Sequence, residues 1–180
     1  MHIGLIGGIG PAATEYYYRG LIERHTRAEI PLELTIAHAE VRDLAQNLAD
    51  RAAQRQAEIF ARLVGRLAAA GAQIAAVTSM GGHFCIGELE SMSTLQMLNA
   101  IPEVDAAIRR RGLKTVGILG TRMVMETGLY GGISSAQVVV HRAQGVRITR
   151  RSLDHRGGRL CIPDLSGAPR GPRLIGPSRV

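Results

Sequence analysis

Apolar residues along the first 140 positions follow two alternating rhythms. Short runs at 3–6, 33–38, 74–77 and 115–120 read as strands, with shorter ones at 95–98 and 137–140. Between them, 12–27, 50–70, 85–92, 102–111 and 121–128 read as helices. The helix over 50–70 is amphipathic and stops at Gly71, a residue suited to the left-handed position just past a helix end. Strands separated by helices predict an α/β fold, a parallel sheet flanked by helices. The binding crevice of such a sheet lies at the carboxyl ends of its strands.

Beyond Val140 neither rhythm persists. Residues 141–180 are rich in Arg, Gly and Pro, as in Gly167-Ala168-Pro169-Arg170-Gly171-Pro172-Arg173. Such a segment buries too little apolar surface to offset its ordering entropy, so a disordered tail is expected. Charge changes at the same place. Residues 1–140 carry 13 Lys+Arg and 13 Asp+Glu, whereas 141–180 carry 9 Arg against Asp154 and Asp164. The whole net charge of +7 therefore sits in the tail. With aromatics at 3% there is little to stack bases on, which argues against a nucleic-acid partner; the Arg-rich tail alone points the other way.

The apolar share of 46% over 180 residues suffices for one large domain or two small ones. No apolar run approaches the roughly 18 residues needed to span a bilayer, and no basic leader precedes the first run. Cys85 and Cys161 have neither a disulfide framework nor metal-ligand spacing. The expectation is a protein of the reducing cytoplasm, without membrane or metal.

Chemistry concentrates at strand ends. The run Ile3-Gly4-Leu5-Ile6 enters Gly7-Gly8-Ile9-Gly10-Pro11 and a helix begins at once. Free N–H groups and the positive end of a helix dipole then meet at a strand's carboxyl end, a corner that suits an anion. Gly8-Ile9-Gly10-Pro11-Ala12-Ala13 also fits the dinucleotide pattern G-x-G-x-x-G/A, which requires an acid at the end of the second strand. Glu33 lies at that strand's start and Glu40 just past its end. Phosphate, carboxylate and a purely structural tight turn all remain open at this corner.

A second corner, Thr78-Ser79-Met80-Gly81-Gly82-His83-Phe84-Cys85, gathers hydroxyls, an imidazole and a thiol after strand 74–77. It reads as an acid/base or nucleophile loop, or as a glycine turn whose Thr78 and Ser79 cap backbone donors. His83 alone reads as structural, and Cys85 as a core thiol. Arg51, after Asp50, is either a solvated helix start or a guanidinium that clamps a carboxylate. A third corner, Gly120-Thr121-Arg122-Met123, offers a hydroxyl and another cation. The segments 3–8 and 116–121 echo each other, as two similar halves or as two corners of one sheet.

In order and spacing, these corners resemble the aspartate/glutamate racemases, the pyridoxal-independent amino-acid racemases. The resemblance is carried by Gly4-Leu5-Ile6-Gly7-Gly8-Ile9-Gly10-Pro11-Ala12-Ala13-Thr14, Asp50-Arg51, Gly71-Ala72, His83 and Val116-Gly117-Ile118-Leu119-Gly120-Thr121-Arg122. It covers about residues 2–140. It implies two pseudo-symmetric α/β lobes, a first over 1–100 and an incomplete second over 101–140, with a site between them. It also implies an isomerase without cofactor, acting on aspartate, glutamate or a similar small acid by two-base α-proton transfer. Hydantoin and other carboxylate-handling relatives share the scaffold. The substrate carboxylate would sit at Gly8, Ile9 and Gly10, with Arg51, Thr78, Met80, His83 and Thr121 as further substrate contacts.

Two departures stand out. Aligned on His83, the family's first catalytic base, a cysteine in a Cys-Asn-Thr-x-His motif, is replaced by Ser79, with Met80 and Gly81 following. A hydroxyl is a far poorer base than a thiolate. Nothing after Val140 resembles the strand that carries the second base or the helix that returns after it, and Cys161 sits in Leu160-Cys161-Ile162-Pro163. The expectation is a family sequence that stops near Val140 and continues in a replaced, frameshifted end, with weak or absent activity. An incomplete lobe would also leave an unpaired edge and an apolar face, favouring a homodimer or aggregation. The rivals are a non-catalytic small-acid binding protein on the same scaffold and, through its tail, a nucleic-acid-associated protein.

Overall fold

The computed structural model of the chain describes residues 1–140; the segment expected to be a disordered tail, 141–180, lies outside the described residues. Four parallel strands form the main sheet in the order β2-β1-β3-β4: β1 His2–Gly7, β2 Glu33–His38, β3 Ile74–Val77 and β4 Gln96–Leu98. The helices that cross between them are α1 Pro11–Arg27, α2 Val41–Ala49, α3 Ala53–Ala69 and, after a 3-10 turn at Met80–Cys85, α4 Ile86–Met92. With α5 Ala100–Arg110, these confirm the α/β reading of the sequence.

The core lies on the face of the sheet covered by α3. Ile6, Ala75 and Val77 meet Phe60, Val64 and Leu67 there, all essentially inaccessible to water. Gly4 brings α3 close, since a methyl group at Gly4 would come within 3.0–3.2 Å of Leu67 and Ala72. At the end of α3, Gly71 takes φ +92°, and Gly71 and Ala72 donate N–H to the carbonyls of Ala68 and Leu67. That double closure satisfies carbonyls a helix end leaves open, as the sequence predicts. On the other face, α1 buries none of its side chains, and Tyr16 is 78% exposed.

Two boundaries differ from expectation. The helix read as 50–70 is α3, which starts only at Ala53, because the chain turns at Asp50-Arg51-Ala52, where Arg51 takes φ +54°. Helix α2 was missed; its start is marked by Glu40, whose carboxylate accepts from the Arg42 N–H at 3.2 Å. Apolar contact alone does not reveal such a cap, whereas the acid before the helix does. Strand β5 is only Thr115–Gly117, and residues 118–120 are loop.

β5 pairs in parallel with β6 Gln137–Val139 in a separate two-stranded sheet, with α6 Arg122–Glu126 between them. The segments 3–8 and 116–121 therefore belong to two different sheets, not to two corners of one sheet. Asp105 of α5 staples the loop before β6. Its carboxylate accepts from the hydroxyls and N–H groups of Ser134 and Ser135 at 2.6–3.0 Å, and from Arg109 at 2.9 Å. The Ser135 hydroxyl and N–H, then Ser134, hold its carboxyl at about 2, below the usual range.

Candidate active site

The first corner is built by glycines. At φ +88°, Gly8 sits so close to the His38 ring that a side chain would overlap it, and Gly10 takes φ +112°. Gly7 lets Thr14 of α1 close onto β1, where a methyl would meet Thr14 Cγ2 at 2.6 Å. A relay then braces the loop. The Gly8 N–H donates to Thr14 Oγ1 (3.1 Å), the Thr14 and Thr78 hydroxyls share a hydrogen bond (3.0 Å), and Thr78 donates to the Ile6 carbonyl (3.0 Å).

The brace engages two residues expected at the substrate. Gly8 has already spent its N–H, so it shapes the loop instead of donating to a ligand. Thr78 is 1% exposed and fully occupied, so it braces the sheet and has no group left for substrate. Ile9 is also buried, so its side chain is part of the core. Among the described residues, the N–H groups of Ile9, Gly10, Ala12 and Ala13 have no acceptor, and α1 has no side-chain cap. Four free donors at the positive end of a 17-residue helix suit an anion. The dinucleotide alternative loses its acid, since Glu33 opens β2 at the far end and Glu40 caps α2.

The 3-10 turn packs onto this loop because Gly82 lacks a side chain. A methyl there would press on Val77 at 2.9 Å, Ile9 at 3.2 Å and Phe60 at 3.4 Å. Ser79 opens the turn, half-buried, and its hydroxyl bonds to no other group among the described residues. His83, which by itself reads as structural, is engaged with the backbone. It is 2% exposed, with Nδ1 at 2.8 Å from the Ser79 carbonyl and Nε2 at 3.4 Å from the Ala100 N–H. An amide can only donate, so Nε2 accepts and Nδ1–H donates, which leaves no nitrogen for substrate. Burial lowers its pKa against the smaller opposing effects of the Ser79 carbonyl and Glu90. Cys85 is fully buried, and desolvation raises its thiol to about 12, so it is a core thiol, as read from sequence.

The third corner meets the second at Gly81. A methyl on Gly81 would touch Ser79 Oγ at 3.5 Å and Thr121 Cγ2 at 3.7 Å, so only the missing side chain of Gly81 leaves a small gap between Ser79 and the methyl of Thr121. Thr121 is exposed and caps α6 with a long bond from the Val124 N–H (3.5 Å), which leaves its own proton to donate. Sequence reading missed Tyr130, whose hydroxyl donates to the carbonyls of Met80 (3.0 Å) and Gly81 (3.3 Å). The glycines around it, Gly128-Leu129-Tyr130-Gly131-Gly132, were the available signal.

Arg51 is carried by a different element, the α2–α3 turn. Asp50 is taken by Arg55 (3.1 Å) and Gln46 (3.0 Å), and Asn47 pairs with Gln56 (2.8 Å) and Arg55 (2.6 Å). Arg51 is thus held in shape while its exposed guanidinium pairs with no acid among the described residues.

A parallel α/β sheet flanked by helices, with glycine-built corners at the carboxyl ends of its strands, defines the fold class. A family model described as Asp/Glu/Hydantoin racemase matches residues 6–155, and the chain belongs to that family. The match covers every site residue above and runs past Val140 into the segment set apart by composition. Among solved structures, the chain is similar to an aspartate racemase homologue from Pyrococcus horikoshii, at 26% identity and TM-score 0.64, over 79% of this chain and 65% of that one. It is also similar to a candidate Asp/Glu racemase from Yersinia pestis, at 28% identity and TM-score 0.63, over 78% and 64%. Picrophilus torridus aspartate racemase shares the fold at 21% identity and TM-score 0.62, over 78% and 62%. The chain thus spans just under two thirds of the length of these proteins. No curated protein matches it. No described helix is long and apolar enough to cross a membrane.

Proposed function

We propose that this chain binds a small amino acid, aspartate, glutamate or a near relative, and that its site is laid out for α-proton transfer without a bound cofactor. The free N–H groups of Ile9, Gly10, Ala12 and Ala13 take one carboxylate, and Arg51 takes carboxylate charge as a bidentate donor. Ser79 and Thr121 approach the substrate from either side of the Gly81 gap, with Ser79 in the first acid/base position. Neutralising the carboxylate is what makes an α-proton acidic enough to move, because charge develops there in the transition state. The observation that carries this reading is the meeting of two corners at Gly81, where an added methyl would contact Ser79 Oγ at 3.5 Å and Thr121 Cγ2 at 3.7 Å.

A second reading is binding without turnover. Its support is chemical: Ser79 is a hydroxyl where the resemblance expects a thiolate, and Cys85, pushed to about 12, offers no thiolate near neutral pH. Exchange of the α-proton of L-aspartate and L-glutamate into D₂O separates the two readings. Exchange supports the isomerase, and binding without exchange supports the carrier.

The site is tested by Gly81→Ala. The added methyl sits in ordinary contact with Ser79 and Thr121, so the fold survives while the gap fills. We expect an unchanged melting temperature and acid affinity lowered at least about tenfold by calorimetry, which corresponds to ~1.4 kcal/mol. Affinity equal to the parent's would remove the gap from the site.

A further inference from the structure

The four residues before Gly132 form a left-handed turn in which Leu129 and Tyr130 are backbone outliers. Gly128, Leu129, Tyr130 and Gly131 take φ of +59°, +61°, +57° and +72° in succession, although Leu129 and Tyr130 carry side chains that disfavour this region. The turn is held closed by its surroundings. Leu129 is buried and donates its N–H to the Val124 carbonyl at 2.8 Å. The Tyr130 N–H donates to Thr127 Oγ1 at 2.9 Å, and the Gly131 N–H to the Thr127 carbonyl at 2.9 Å. Gly132 lies so close to Ile101 of α5 that no side chain fits.

This unfavourable geometry has a visible result. It carries the Tyr130 hydroxyl onto the Met80 and Gly81 carbonyls, at 3.0 and 3.3 Å. Those carbonyls belong to the turn that Ser79 opens, and Gly81 is the residue whose missing side chain leaves the gap to Thr121. Thr121 caps the helix that leads into the same left-handed turn. One side chain thus ties the far end of that helix to the turn carrying Ser79. Burial keeps the hydroxyl protonated, at about 12, so it remains a donor across the neutral range.

We propose that Tyr130 is a positioning residue: by holding the Met80 and Gly81 carbonyls, its hydroxyl sets the width of the gap between Ser79 and Thr121 and thereby the affinity for the acid. The proposal rests on reading that gap as the substrate site. Tyr130 touches no substrate; it acts through the turn.

The test is Tyr130→Phe, which keeps the ring and removes only the donor, with the exposed Tyr16→Phe as control. Circular dichroism and melting report the fold, amide hydrogen exchange over 80–85 reports the turn, and calorimetry with L-aspartate and L-glutamate reports the site. We expect a folded variant, exchange over 80–85 faster by about tenfold, and acid binding weaker by about tenfold, the scale of one lost hydrogen bond. The control should change neither. A purely structural hydroxyl would lower the melting temperature and leave affinity at 25 °C alone, and that result overturns the proposal. Unchanged exchange over 80–85 also overturns it, even if the variant is too unstable for calorimetry. A parent protein that binds no acid overturns the reading of the site and the proposal with it. A parent that binds beside a variant that binds equally well overturns the role of Tyr130 alone.

Discussion

His83 shows how burial decides a residue's role. The resemblance made it a substrate contact, while both of its ring nitrogens are engaged by backbone groups. A buried imidazole with a lowered pKa resists protonation, whereas in the unfolded chain it protonates near 6.5. The stability it confers is therefore complete above that pH and is lost as pH falls through the lower, folded-state value. We expect the urea midpoint to drop between pH 7.5 and 5.5, and His83→Gln to flatten that slope. A midpoint that ignores pH over this range in the parent would contradict the buried neutral state. Gly8 and Thr78 carry the same lesson, since residue type and order named them while their hydrogen bonds place them in the brace.

At the scale of elements, the α2–α3 turn is the place where local preference and tertiary demand conflict. A non-glycine residue at φ +54° costs about 1–2 kcal/mol, and Arg51 is kept there by the Asn47, Asp50, Arg55 and Gln56 network around it. Arg51→Gly relieves that strain and adds unfolded-state entropy, for a net gain of about 1 kcal/mol in stability. The same change removes the guanidinium. We expect a higher denaturation midpoint together with weaker acid binding, read by urea melts and calorimetry on one sample. Lower stability would show that the network does not carry the strain, and unchanged affinity would take Arg51 out of the site.

The whole molecule pairs a complete four-stranded sheet with a two-stranded one, and leaves apolar groups in water. Leu119 is 89% exposed, Val139 48%, and Tyr16 78% on an α1 that buries nothing. Surfaces of this kind favour association. We expect sedimentation to show a concentration-dependent dimer or larger species, and a strictly monomeric boundary at all concentrations would contradict it.

Much of this was legible in the sequence, because it depends on neighbours along the chain. The alternation of apolar runs with helical periods fixed the parallel α/β class. Gly7, Gly8 and Gly10 before Pro11 marked the tight corner at the end of β1, and Gly71 marked the end of α3. The order of the corners carried the family resemblance that the match over residues 6–155 establishes. Local pattern also missed what it could have shown, the helix begun by Glu40, because an apolar count ignores a cap. The rest depended on distance in space. Only the tertiary structure could show that Thr14 and Thr78 close a relay, and that His83 is spent on the backbone. It alone showed that Ser79 and Thr121 share one gap, and that Tyr130 reaches Met80 and Gly81 across 50 and 49 positions of chain. Hydrogen bonds and exclusion from water between remote segments are properties of packing, and a linear pattern of residues does not encode which partner each polar group will find.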